Sequence, residues 1–90
     1  MTEANALKEL QKGSEKALGW FIDRYSAYVT TIIHNILGNY MDQADMEEVA
    51  SDVFFAFWEN ADKVHSPKGY LGTIARNMAK NKLRQLGDTI

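Results

Sequence analysis

The sequence predicts an all-α protein, an antiparallel bundle of about four helices. Three observations carry that reading. Apolar residues recur every three to four positions in successive stretches, which is the period of a helix buried on one side. The scarce breakers, one Pro and six Gly in 90 residues, fall mainly where those stretches meet. A chain of this length buries only roughly 60–65% of its unfolded surface, enough for one core and not for two. Residues 1–90 are therefore expected to form a single domain. A hydrophobic content of 46%, with ten aromatic residues, argues against disorder.

The first helix is short and spans 2–12. Thr2 caps it, Leu7 and Leu10 face inward, and Gly13 stops it. The second spans 14–37 and carries Leu18, Phe21, Ile22, Tyr25, Val29, Ile32, Ile33 and Ile36 at spacings of three and four. Its β-branched run from Val29 to Ile33 would pass for a strand in isolation, but the helical stripe continues on both sides. Gly38 and Asn39 end it. The third spans 42–59, with Met46, Val49, Ala50, Val53, Ala56 and Phe57 on one face. A polar link, Asn60 to His65, follows. The fourth spans 66–87, begun by Ser66 as cap and Pro67 in the first turn. Its inward face is Leu71, Ile74, Ala75, Met78 and Leu86, and its outward face is Thr73, Arg76, Asn77, Lys80 and Arg84.

Charge divides this chain more sharply than its total suggests. The net charge is −2, yet residues 1–62 hold four bases and eleven acids, whereas 63–90 hold six bases and one acid. Seven net negative charges therefore precede five net positive ones, an asymmetry that predicts two partners, at least one of them polyanionic. The chain has no Cys, so thiolate metal sites, disulfides and thiol nucleophiles are excluded, and a reducing cytoplasm is the expected location. No apolar run approaches membrane-spanning length, and Met1–Lys12 lacks the form of a signal peptide.

Enzyme chemistry lacks parts. His34 sits within an apolar helix and His65 in a loop, with no H-E-x-x-H and no paired nucleophile and base. Asp42 and Asp45 lack the remaining ligands of a calcium loop. The chain is expected to be no enzyme and to need no cofactor or metal. Two binding faces remain. Asp45, Glu48 and Asp52 share the outer face of the third helix with Ser51 and Phe55. A merely solvated face would interleave lysines, and like charges four residues apart cost about 0.2–0.5 kcal/mol per pair. An aromatic ringed by carboxylates instead marks a docking face for a basic protein surface. On the fourth helix, Arg76, Lys80 and Arg84 recur every four residues, Thr73 and Asn77 offer hydrogen bonds, Lys63 and Lys68 extend the charge, and Tyr70 offers a ring for stacking. That combination points to nucleic acid.

The stretch Met46-Glu-Glu-Val-Ala-Ser-Asp-Val-Phe-Phe-Ala-Phe-Trp58, followed by Lys68-Gly-Tyr-Leu-Gly-Thr-Ile-Ala-Arg-Asn-Met-Ala-Lys-Asn-Lys-Leu-Arg84, resembles region 2 of bacterial sigma factors of the extracytoplasmic-function (ECF) class. Gln11-Lys-Gly-Ser-Glu-Lys-Ala17 and Ile36-Leu-Gly38 are similar to that family too, so the likeness runs from about Leu7 to Leu86. It implies that the third helix binds the clamp coiled coil of the largest subunit of core RNA polymerase, through Asp45, Glu48, Ser51, Asp52 and Phe55. It also implies that the loop and fourth helix hold the non-template strand of the promoter minus-ten element. There Asn60, Lys63, Val64, His65 and Ser66 would read a captured base, while Lys68, Tyr70, Thr73, Arg76, Asn77 and Lys80 would follow the strand. Family members usually carry Asp where this chain has Glu48, Gln where it has Ser51, and Trp where it has Tyr70. Anti-sigma proteins hide these surfaces in many members. Nothing resembles the second, minus-thirty-five-binding region 4 domain of full-length members, so an isolated region 2 domain or an excised fragment is expected. Without the resemblance, a helical protein-interaction module or a DNA-binding regulator that never meets polymerase would use the same two faces.

Overall fold

A computed structural model describes the backbone of residues 1–89 and side chains as far as Gly87. It contains four helices, α1 (Glu3–Gln11), α2 (Glu15–Leu37), α3 (Gln43–Glu59) and α4 (Pro67–Thr89), with one 3-10 turn, Ala61–Lys63, between α3 and α4. There is no strand among the described residues. The particle measures 45 × 20 × 18 Å, and the long α2 packs on α1, α3 and α4, while α3 and α4 also pack on each other.

Local chemistry sets most boundaries. Thr2 Oγ1 accepts from the Asn5 backbone N–H at 3.2 Å, and Ser14 Oγ from that of Ala17 at 3.2 Å. Asp42 Oδ1 accepts from the Asp45 N–H at 2.9 Å, and Ser66 Oγ from Gly69 N–H at 3.4 Å. Each satisfies a donor that the first turn of a helix leaves free. At the end of α1, Gly13 adopts φ +90°, Gly13 N–H donates to the Leu10 carbonyl and Ser14 N–H to that of Glu9. This is a Schellman stop, and the left-handed residue it needs is the one without a Cβ. The stop expected at Gly87 does not occur. Gly87 is not left-handed, and α4 continues to Thr89.

The core is apolar throughout. Phe21 of α2 meets Phe57 of α3 edge to face, with ring centroids 5.1 Å apart, and Phe57 meets Tyr70 of α4 at 6.3 Å. Ala6 and Leu10 of α1, Val29, Ile33 and Leu37 of α2, Val53 of α3, and Leu71, Ala75 and Ala79 of α4 complete it, all almost wholly buried. Phe54 is also buried, although the helical projection left it off the inner face of α3. It lines the groove between α2 and α3.

Candidate polymerase and nucleic-acid interfaces

The outer face of α3 is exposed at Asp45, Glu48, Ser51, Asp52 and Phe55. Only two ion pairs form among the described residues, Lys12–Glu9 and Arg24–Glu3, so none of the carboxylates on this face is neutralised by a neighbour. Phe55 is 56% exposed, and its ring stands edge to face with Trp58 at 6.4 Å. Beside these rings runs a groove of about 450 Å³ between α2 and α3, with Leu18, Ile22, Ser26 and Thr30 on one wall and Glu47, Ala50, Ser51, Phe54, Phe55 and Trp58 on the other. The α2 wall was hidden from sequence reasoning, because Leu18 and Ile22 fit a core stripe equally well. The acidic, aromatic rim and the apolar groove together suit a partner with basic charge around an apolar ridge.

On the other interface, the α3–α4 connection is held at several points. Asn60 Nδ2 donates to the Ala56 carbonyl at 2.9 Å and closes the end of α3. Lys63 N–H donates to Asn60 O and Val64 N–H to Ala61 O, which forms the 3-10 turn. Gln11 of α1 reaches across and donates from Nε2 to the same Ala61 carbonyl at 3.1 Å. Ala61 and Val64 are both 2% exposed and pin the turn to the core. This corrects the expectation for one loop residue. Val64 cannot present its side chain to a base, because an isopropyl group on a polar link gains more by burial than by exposure, whereas Asn60 is half-buried and spends one amide donor on its own helix end.

What the loop does present is a cavity of about 520 Å³ against the first three turns of α4. Lys63, His65 and Ser66 supply the loop side; Gly69, Tyr70, Thr73, Ile74 and Asn77 supply the helix side. Six of these were expected from the sequence; Gly69 and Ile74 were not. Tyr70 is half-buried, its ring tilted against Phe57, so it forms a fixed wall. Lys68, Arg76 and Lys80 are exposed but line no part of the cavity, and they extend the positive charge along the outside of α4. Lys68 Nζ stands 5.1 Å from the ring centroid of Tyr28, a residue of α2 absent from the expected site.

No described helix is long and apolar enough to cross a membrane. No curated protein and no solved structure matches the chain. The family model for sigma-70 region 2 matches residues 21–89, which takes in α2 from Phe21 onward, α3, the turn and α4. The matched span contains the exposed α3 face and the whole lining of the loop–α4 cavity, and the chain belongs to the sigma-70 region 2 family, a sigma-factor domain of transcription initiation.

Proposed function

We propose that this chain is an ECF-type region 2 domain that joins core RNA polymerase to a melted promoter. The α3 face with Asp45, Glu48, Ser51, Asp52 and Phe55 docks on the clamp coiled coil of the largest subunit. The loop and α4 hold the non-template strand of the minus-ten element. The observation that carries this reading is the 520 Å³ cavity, because six side chains expected to handle the strand line it, beside the basic outer face of α4. Its volume is ample for a base, and it is walled by the Tyr70 ring and by Lys63, His65, Ser66, Thr73 and Asn77, which offer hydrogen bonds to a base edge. His65 and Lys63, exposed on the loop side, are assigned the choice of base.

Energetics restrict what the domain does alone. Extracting a base from a duplex costs a few kcal/mol, and stacking it on a protein ring returns about 1–3 kcal/mol. The isolated domain therefore captures a strand that is already single, and polymerase supplies the opening. With about four phosphates neutralised, log Kd against log salt has a slope of magnitude about 3 for single-stranded DNA.

The test combines both surfaces. Glu48→Lys with Asp52→Lys reverses two exposed charges, and in a pull-down the variant loses core polymerase while its single-strand affinity is retained. Retained polymerase binding would overturn the docking face. Equal affinity for duplex and for single strand of the same promoter would overturn base capture.

A further inference from the structure

Tyr28 lies on α2, yet its hydroxyl comes down on the α4 backbone at Gly72. A Cβ built on Gly72 would stand 2.5 Å from Tyr28 Oη and 3.1 Å from Arg76 Nη1, so these two donors converge on one point of the helix surface. Only glycine leaves room for the hydroxyl there. The Lys68 ammonium stands over the ring of the same tyrosine, with Nζ 5.1 Å from its centroid. An ammonium, a phenolic hydroxyl and a guanidinium thus gather across the α2–α4 seam.

Among the described residues none of the three has an anionic or hydrogen-bonding partner. The two ion pairs and the side-chain hydrogen bonds of the protein involve other residues. Two like charges brought beside one polar hydroxyl, with no carboxylate answering them, favour an anion bound from outside. We propose that Tyr28, Lys68 and Arg76 form a seat for one phosphodiester of the single strand, with Gly72 as its floor. This rests on the reading of α4 as the strand-binding helix, and it adds an α2 residue to it. Lys68 and Arg76 supply charge, which is long in range and indifferent to sequence. Tyr28 supplies a directed donor held by the seam, so the seat fixes where the backbone lies and hence which base meets the cavity between Lys63 and Asn77.

Fluorescence anisotropy on the purified domain tests the seat. Tyr28→Phe keeps the ring and its contact with Lys68 and removes only the donor. On a mixed-sequence single strand at low salt, it weakens binding about five- to tenfold, with an unchanged salt slope, since no charge is lost. Gly72→Ala displaces the hydroxyl and gives a comparable loss, whereas Lys68→Gln lowers the slope by about 0.7. On a strand enriched against the wild-type domain, each phosphate is then replaced in turn by an uncharged methylphosphonate. At one position the wild type weakens and the Tyr28→Phe penalty vanishes. A Tyr28→Phe variant that melts normally and binds as tightly as wild type would overturn the seat, as would a penalty identical on every substituted strand. Enrichment that yields no sequence preference counts against base capture in the cavity and leaves the mixed-strand comparison to judge the seat.

Discussion

Phe55→Ala separates docking from folding at a single side chain. The ring is 56% exposed in the free domain. A Phe side chain presents about 200 Å², so about 110 Å² remains to be covered by a partner, and at about 25 cal/mol per Å² its burial contributes about 2.8 kcal/mol. That corresponds to about a hundredfold in Kd. The part of the ring already packed on Trp58 is lost from free and bound states alike and cancels from the affinity. The neighbouring Phe54 supplies the contrast, being 5% exposed. Phe54→Ala opens the core and costs about 3–5 kcal/mol of stability, so its effect is seen in melting before it is seen in binding. Biolayer interferometry on immobilised core polymerase, with thermal melts of each variant, reads both quantities. The expected pattern is a Phe55→Ala domain that stays folded at 25 °C and binds about a hundredfold more weakly. Affinity within twofold of wild type would refute the assignment of this ring to a docking face.

Two further predictions concern contacts inside the molecule. Gln11→Ala removes the hydrogen bond from α1 to the Ala61 carbonyl, worth about 1 kcal/mol, and loosens the 3-10 turn. Hydrogen exchange at the Lys63 and Val64 amides then quickens about fivefold while core amides of α2 are unchanged; equal protection in the variant would show that α1 does not brace the loop. The Tyr25 hydroxyl is pushed above its ordinary 10.0 by burial first and then by its hydrogen bond to Glu3, with Arg24 acting the other way. Because the folded value is raised, this contribution to stability is fully present below the unfolded value and is lost as pH rises through the folded one. In urea titrations the advantage of wild type over Tyr25→Phe is expected at about pH 8 and shrinks toward about pH 11. An advantage that does not change with pH would contradict the coupling.

The helix starts at Thr2, Ser14, Asp42 and Ser66 were legible in the sequence because a cap is a local device, decided within three or four residues. Gly87 misled for a related reason. A glycine permits a left-handed stop but does not compel one, and α4 runs past it. The acidic and aromatic outer face of α3 was also readable, since one helix presents it unaided. Features made by two elements were not. Val64 reads as a loop residue until α1 and the core are placed beneath it. Phe54 and Ile22 belong to a groove that exists only when α2 meets α3, and Tyr28 reaches Gly72 only across the seam with α4. Spacings of three and four identify the side of a helix that faces inward without saying which neighbour it meets.

The interior contains no buried polar or charged residue among the described positions. Adhesion of the helices therefore rests on apolar packing, while the charged groups of the loop and α4 stay at the surface. Lys63 and His65 are exposed beside the buried anchors Ala61 and Val64, so substitutions at either are expected to leave the stability of the bundle nearly unchanged. The surface of the loop can accordingly be rewritten at these two positions while the molecule remains the same folded object.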